Sequence, residues 1–72
     1  MPFVSVKITT GATREQKAEL IEGITELLVR VLEKNPASTH VVIEEISPED
    51  WGISGRSVAE LRAVGAPGVS KK

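Results

Sequence analysis

The sequence predicts an α/β fold (α+β by some schemes), built as a single β-α-β unit with a C-terminal hairpin and assembled as an oligomer. Two stretches have the composition of strands, and a long stretch between them has apolar residues every three or four positions. A strand, a helix and a strand in immediate succession indicate a right-handed crossover with parallel strand pairing.

The first predicted strand runs from Phe3 to Thr9 and begins directly after Pro2. Its apolar and polar side chains alternate, with Val4, Val6 and Ile8 against Ser5, Lys7 and Thr9. Alternation with a period of two is typical of a strand that is buried on one face.

The predicted helix runs from about Arg14 to Glu33. Thr13 is placed to cap it, and Gln16, three residues later, can complete a capping box. One side of the helix is continuously apolar through Leu20, Ile21, Ile24, Leu27, Leu28, Val31 and Leu32. We expect Asn35-Pro36 to end it, because proline disfavours helical geometry in the residue before it.

The second predicted strand, His40 to Ile46, is rich in branched residues. Ser47 to Asp50 is turn-forming, and Trp51 to Gly55 holds two glycines beside two large apolar residues, as in a tight hairpin or a loop pressed on another surface. Ser57 to Val64 can form a helical turn or two. Residues 65–72 lack apolar periodicity, so we predict a mobile tail unless a neighbouring subunit holds it.

The size of the chain predicts one domain over residues 1–72, with an ordered core at about 2–62. Small domains usually gain stability from disulfides, a metal or self-association. The chain has no cysteine and a single histidine, which excludes disulfides and argues against structural zinc. Self-association is then expected, because a two-stranded sheet with one helix leaves sheet edges and one sheet face uncovered.

Charge and hydropathy exclude several classes of partner. Nine basic residues balance ten acidic ones, which gives no net field to attract nucleic acid or an anionic membrane. No apolar stretch approaches the roughly 20 residues that cross a bilayer, and the first residues lack the pattern of a signal peptide. We therefore expect a cytoplasmic protein, and the absence of cysteine fits a reducing compartment.

Pro2 is the first candidate for chemistry. Removal of the initiator methionine, which is common before proline, would expose a secondary amine. A free α-amino group has a reference pKa of about 7.7–8.0, and an apolar pocket formed by Phe3 or Trp51 would lower that pKa by disfavouring the charged form. Such an amine can take a proton from carbon and return it elsewhere, as keto–enol tautomerisation requires.

Four segments in a fixed order give Pro2 its context: MPFV, GATREQKAELI, VVIEE and WGISG. In this order and spacing, the chain resembles the 4-oxalocrotonate tautomerase family over residues 2 to about 62 without a gap. The resemblance implies that Pro2 is the general acid/base, that the substrate is a small molecule, and that no cofactor or metal is needed. It also implies a homohexamer, a trimer of dimers, with active sites assembled from more than one subunit.

The chain departs from the family at two important positions. Ala12 stands directly after Gly11, where the best-known members carry an arginine that binds a substrate carboxylate. His40 stands where they carry a second arginine, which binds the substrate and polarises its carbonyl. Trp51 falls where the family has a phenylalanine that keeps the pocket apolar, although it can equally pack in an interface. Without both arginines, chemistry on the dicarboxylate 2-hydroxymuconate is not assured, whereas proton transfer by Pro2 is unaffected.

Arg14, His40 and Arg56 are candidates to replace the lost positive charge at a substrate-binding site. Arg14 lies in the first helical turn, where free backbone N–H groups favour an anion, although a solvated side chain is the commoner interpretation. His40 can hydrogen-bond a substrate carbonyl or lie on the surface with no such role. Arg56 can reach into a neighbour's site, although an ordinary surface charge is again commoner.

The function expected is that of a tautomerase or isomerase acting on a small 2-hydroxydienoate or an α-keto acid. A first alternative is a superfamily hydratase or dehalogenase, which adds water to haloacrylates with cationic Pro2 as acid and a carboxylate to activate water. Glu44 and Glu45 do not supply that carboxylate pair, because adjacent strand residues face opposite ways. A second alternative is a non-catalytic oligomeric module of the same fold, which the loss of both arginines would permit.

Overall fold

A computed structural model describes residues 2–66 and 68 of the chain. Its helices and strands follow in the order β1 (Phe3–Thr9), α1 (Arg14–Leu32), β2 (His40–Ile46), β3 (Gly52–Ile53), β4 (Arg56–Ser57) and α2 (Val58–Ala63). Short 3₁₀ turns at Pro36–Ser38 and Pro48–Asp50 precede β2 and β3. Both predicted strands are confirmed at the predicted residues.

Strands β1 and β2 form a two-stranded parallel sheet. At its beginning the His40 N–H donates to the Pro2 carbonyl at 3.0 Å, and at its end the Thr10 N–H donates to the Ile46 carbonyl at 3.1 Å. The beginnings of the two strands therefore lie side by side, and so do their ends. This arrangement requires β1 and β2 to run in the same direction. The predicted β-α-β arrangement is confirmed.

The two faces of this sheet differ in exposure along both strands. Those hydrogen bonds place Phe3 opposite His40 and Lys7 opposite Glu44, all four on the exposed face. The Lys7 Nζ lies 3.0 Å from Glu44 Oε1, but each side chain is 57% exposed, so this ion pair adds little stability. Residues of the other face are half-buried: Val4, Val6, Ile8, Val41, Ile43 and Glu45.

The beginning of α1 confirms the predicted capping box, whereas its end corrects the prediction. The Thr13 hydroxyl accepts from the Gln16 N–H at 3.1 Å, and the Gln16 side chain accepts from the Thr13 N–H at 2.9 Å. The helix ends at Leu32, one residue earlier than predicted, because Glu33 adopts a left-handed conformation with φ of 55°. Asn35 instead caps the following 3₁₀ turn, its side chain accepting from the Ala37 N–H at 2.9 Å.

Helix α1 buries none of its 19 residues completely. Leu27 is 50% exposed, Val31 60% and Leu32 56%, although all three belong to the apolar side that the sequence predicts. Ile24 and Leu28, on the same apolar side, are half-buried. The apolar surface of α1 is therefore wider than the part that its own chain covers.

The segment after β2 forms the predicted hairpin and a short helix. Strands β3 and β4 pair antiparallel, with Ser54 and Gly55 between them at φ of 54° and 80°. Two successive left-handed residues are typical of the tight type I′ turn, so the hairpin interpretation is confirmed. Ser57 caps α2, its hydroxyl accepting from the Glu60 N–H at 3.2 Å. Val58, at 5% exposure, is the one buried residue within 2–66 and 68.

The described chain divides into two compact units. The first combines the residues up to Lys7 with Ala12–Glu44, and the second combines Ile8–Gly11 with the described residues from Glu45 onward. A single domain with an ordered core at about 2–62 stays a prediction. Of the predicted mobile tail, residues 67 and 69–72 lie outside the described residues.

Candidate active site

Pro2 lies immediately before β1 and is half-buried. Its carbonyl accepts the hydrogen bond from the His40 N–H, which fixes the residue at the beginning of the parallel sheet. Proline has no N–H to donate to a neighbouring strand, so the first position of a strand suits it, and its nitrogen takes no part in strand pairing. Met1 lies outside the described residues, and the free amine stays a prediction.

His40 is joined to Pro2 through the backbone, but its side chain lies on the exposed face of the sheet. By the alternation of β1, Pro2 belongs with the half-buried positions that include Val4, whereas His40 lies opposite Phe3. The structure therefore brings the two backbones together and directs the side chains to different faces of the sheet. A role for His40 towards a substrate carbonyl stays a prediction.

The loop at Gly11 and Ala12 occupies the position of the first missing arginine. Gly11 has φ of 129°, a conformation that other residues rarely adopt. Its N–H donates to Glu45 Oε2 at 3.2 Å, so a carboxylate of the chain already occupies this backbone donor. Ala12 is half-buried and carries no polar side-chain atom, so it cannot bind a substrate carboxylate as an arginine would.

Arg14 is the first residue of α1, and its side chain is exposed. Two backbone N–H groups at this end of the helix, those of Thr13 and Gln16, are occupied by the capping box. Fewer donors are then available to support an anion beside Arg14 than an uncapped helix would offer. Anion binding at Arg14 stays a prediction.

Trp51 follows the 3₁₀ turn Pro48–Asp50 and precedes the hairpin. The residue is half-buried, and its carbonyl accepts from the Val58 N–H at 2.7 Å, which joins it to the beginning of α2. Part of the residue remains accessible to a ligand or to a partner chain. Its predicted roles as pocket wall and interface residue are both compatible with this exposure.

Arg56 lies on β4 and is exposed. Its Nη2 lies 3.5 Å from Glu60 Oε2, and the two side chains are 57% and 59% exposed. This is an ion pair between residues four apart, of the kind that commonly occurs on surfaces. The geometry favours the surface-charge interpretation of Arg56 over a substrate-binding one.

Arg62 was not among the candidates from the sequence. It lies in α2 and is half-buried, and its Nη2 donates to the Thr9 hydroxyl at 3.0 Å. Its Nε is buried and has no hydrogen-bond partner among the described residues. No sequence signal separates Arg62 from the other arginines, because its burial depends on how α2 meets the end of β1.

Glu44 and Glu45 face opposite ways, as predicted. Glu44 is exposed and pairs with Lys7, whereas Glu45 is half-buried and accepts from the Gly11 N–H. The two carboxylates therefore cannot act on one water molecule. Within 2–66 and 68, no group of three or more histidine, aspartate or glutamate residues could hold a metal ion, and neither described helix is long and apolar enough to span a membrane.

An open groove runs along the exposed side of α1. Gly23 is one of its lining residues, and a Cβ added there would meet nothing within 4 Å. The lining is mainly apolar and carries one ionisable group, Glu19, so the groove has the character of a docking surface more than of a catalytic site. The lining residues are Ala12, Gln16, Glu19, Leu20, Gly23, Ile24 and Leu27.

Comparisons with known sequences agree with this architecture. The family model described as tautomerase enzyme matches residues 2–61. The probable tautomerase K2 of Dickeya dadantii is 56% identical over 63 residues, which cover 86% of this chain and 94% of that protein. The 2-hydroxymuconate tautomerase of Pseudomonas putida is 38% identical over 61 residues, which cover 85% of this chain and 97% of that enzyme.

A solved structure gives the same result for the fold. The heterohexameric 4-oxalocrotonate tautomerase from Chloroflexus aurantiacus superposes with a TM-score of 0.80 at 31% sequence identity. The match covers 86% of this chain and 100% of the solved chain. The β-α-β fold is thus shared over the full length of that solved chain.

Proposed function

Because the chain belongs to the 4-oxalocrotonate tautomerase family of tautomerase enzymes, we propose that its mature form moves a proton on a small 2-hydroxydienoate or α-keto acid, with Pro2 as general acid/base and without a cofactor. One observation carries the proposal. Pro2 is held at the head of β1 by the His40 N–H, and its nitrogen is not engaged in the sheet.

The chemistry requires a free Pro2 nitrogen, and therefore removal of Met1. The neutral amine takes the proton from the 2-hydroxyl group of the enol, and the C=O bond forms as the carbon–carbon double bond shifts. The ammonium form then returns a proton to carbon, which regenerates the amine and leaves an isomer of the substrate. An α-amino group can serve as both base and acid in this way because its reference pKa of about 7.7–8.0 lies near the working pH.

The substrate class follows from the two departures from the family. Neither Ala12 nor His40 offers the fixed guanidinium that would bind a second carboxylate. The half-buried Trp51 offers an apolar surface for the carbon chain of the substrate. We therefore favour a substrate with one carboxylate next to its enol over the dicarboxylate for which the Pseudomonas relative is named.

We further propose that the protein is a homo-oligomer, most consistently a hexamer. The apolar side of α1 is largely exposed in the single chain, and one described residue, Val58, is buried. Covering apolar surface gains about 25 cal/mol per Å², so residues such as Leu27 and Val31 favour association. The exposed face of the sheet, with Phe3 and His40, can in the same way meet another subunit. The Chloroflexus relative is itself a heterohexamer.

The test begins with the intact mass of purified protein, which establishes whether the chain begins at Pro2. Ketonisation of phenylenolpyruvate and of 2-hydroxymuconate is then followed by ultraviolet absorbance. Pro2→Ala should lower kcat/KM by about a hundredfold or more, the usual contribution of general acid–base catalysis. Pro36→Ala, at an exposed proline in the turn before β2, is the matched control and should retain the activity.

The same measurements separate the alternatives. Activity that survives in Pro2→Ala would contradict the role of the proline. Halide release from a 3-haloacrylate, without ketonisation, would favour the hydratase or dehalogenase alternative. Correctly processed, oligomeric protein that converts none of these compounds would favour the non-catalytic module.

A further inference from the structure

We propose that the groove of α1 receives α1 of a second copy, and that Glu19 and Arg30 decide which chains can pair there. In this interface Glu19 of each copy meets Arg30 of the other, so the two helices run antiparallel. The inference rests on the homo-oligomer proposed above and goes beyond it by assigning two charges that select the partner. It does not depend on the tautomerase activity.

The shape of the groove fits a second helix. Gly23 has no side chain, and a Cβ built there meets nothing within 4 Å, so the backbone of α1 is open to close approach at this point. Leu20 and Leu27 lie about one turn to either side of Gly23 and are 41% and 50% exposed. A small residue between larger apolar ones lets side chains of a facing helix enter between them.

One edge of the groove carries two charges of opposite sign. Glu19 belongs to the lining, and Arg30 follows about three full turns later in α1, so the two residues lie on the same edge. Both are exposed, and neither forms an ion pair within the part of the chain that the structure describes. They lie roughly 16 Å apart along the axis, at 1.5 Å per residue, which is too far for them to pair with each other.

The order of these charges decides the orientation of the second copy. In a parallel pair Glu19 would face Glu19 and Arg30 would face Arg30, so like charges would repel at both places. In an antiparallel pair with two-fold symmetry each Glu19 faces an Arg30, because every contact is repeated in reverse. One chain therefore supplies both halves of a complementary edge, and this charge complementarity favours a second copy as the occupant.

The same pairing sets the register of the two helices. With Glu19 opposite Arg30, Leu27 of the partner subunit comes opposite Glu22 and beside Gly23, where the missing side chain leaves room for it. The apolar residues are then covered, and the ion pairs lie at the solvent edge. Exposed ion pairs add little affinity, whereas like charges brought together penalise wrong partners, so the two charges act mainly on specificity.

The test reverses each charge and measures assembly by analytical ultracentrifugation. Glu19→Arg and Arg30→Glu should each raise the dissociation constant by about tenfold or more, because two attractive pairs become two repulsive ones. The double variant carries both charges in exchanged positions and should return to within about threefold of the parent. Glu22→Arg, at an exposed position outside the groove lining, is the matched control and should leave assembly unchanged.

Mixing the two single variants gives the sharpest measurement. The Glu19→Arg chain is positive at both positions and the Arg30→Glu chain is negative at both, so each pairs poorly with itself and well with the other. An equimolar mixture should assemble as the parent does, and native mass spectrometry should find the two chains in equal numbers. Salt at about 1 M shortens the screening length to roughly 3 Å and should bring the single variants closer to the parent.

Three results would overturn the proposal. Single variants that assemble as tightly as the parent would show that these charges do not meet. Equal disruption by Glu22→Arg would reduce the effect to one of overall charge. A double variant and a mixture that both stay dissociated, with the helical circular dichroism spectrum of the parent, would show that Glu19 and Arg30 are not partners. In each case an oligomeric parent leaves the homo-oligomer standing, whereas a monomeric parent refutes both proposals.

Discussion

The two helices differ in a way that their lengths do not suggest. Helix α1 has 19 residues and buries none of them, whereas α2 has 6 residues and contains Val58, the buried residue of the described chain. The apolar periodicity of a helix therefore indicates how much apolar surface the helix offers for burial. It does not show that other parts of the same chain cover that surface. The long helix contributes the surface, and we expect another subunit to cover it.

The surroundings of each helix explain the difference. Helix α2 packs on the 3₁₀ turn Pro48–Asp50 and on β4, and the Val58 N–H is bonded to Trp51. Neighbouring elements thus enclose a short segment from several directions. Helix α1 belongs to a β-α-β unit whose sheet has two strands, which is too narrow to cover an apolar helix by itself.

The largest expected effect comes from a charge in the groove of α1. We predict that Leu27→Asp disrupts the oligomer, because a covered carboxylate without a partner costs several kcal/mol in each subunit. The concentration at which the assembly dissociates should rise by about a hundredfold or more, as measured by analytical ultracentrifugation. Glu26→Gln, at the adjacent exposed position, is the control and should leave assembly unchanged. An intact oligomer carrying Leu27→Asp would show that this side of α1 faces water.

Val58 gives the second largest effect. Val58→Ala should lower the free energy of unfolding by about 2 kcal/mol, because it removes buried methyl groups and leaves a cavity. Val64, at 65% exposure, offers the matched control, and Val64→Ala should cost much less. Chemical denaturation at constant protein concentration measures both. Equal losses would mean that the burial of Val58 has no special importance in the assembled protein.

The caps of the two helices give effects of intermediate size. Thr13→Ala and Ser57→Ala each remove a hydroxyl that accepts a backbone N–H, at 3.1 and 3.2 Å, and each should cost about 1 kcal/mol. Gln16→Ala should cost less once Thr13 is already alanine, because the two side chains form one capping box. A double-mutant cycle by urea denaturation checks this, and strictly additive losses would contradict the coupling.

The smallest effect is a gain in stability at the end of α1. Glu33 has φ of 55°, and its negative charge lies at the negative end of the helix dipole. Glu33→Gly should therefore raise the free energy of unfolding by about 0.5–1 kcal/mol, since glycine adopts this conformation without strain. Thermal denaturation measures the gain, with Lys34→Gly as a control that should not stabilise. A loss of stability in Glu33→Gly would show that its side chain makes a contact in the assembly.

The sequence predicts those parts of the fold that depend on neighbouring residues along the chain. The bounds of β1 and β2, the capping box of Thr13 and Gln16, and the hairpin are all confirmed. Each arises from alternation, capping or turn chemistry within a few residues. The end of α1 was predicted one residue late, because the left-handed conformation of Glu33 has no glycine or asparagine to signal it.

The candidate site was less predictable for a different physical reason. Pro2 and the two missing arginines could be identified from their positions in the sequence, whereas the hydrogen bond between His40 and Pro2 is seen only in the structure. The partial burial of Arg62 could not, because it arises from residues 53 positions apart. Which residues cover the apolar side of α1 depends, in the proposed oligomer, on subunits beyond the single chain.

The hydrogen bond from His40 to the Pro2 carbonyl has a practical consequence for preparing the protein. This hydrogen bond holds Pro2 by its carbonyl group and does not involve its nitrogen. Residues added before Pro2 would therefore leave the sheet undisturbed. A histidine tag at that end would convert the nitrogen into a tertiary amide without basicity. If Pro2 is the general acid/base proposed above, such material would fold normally and yet show no turnover, so purification handles belong at the opposite terminus.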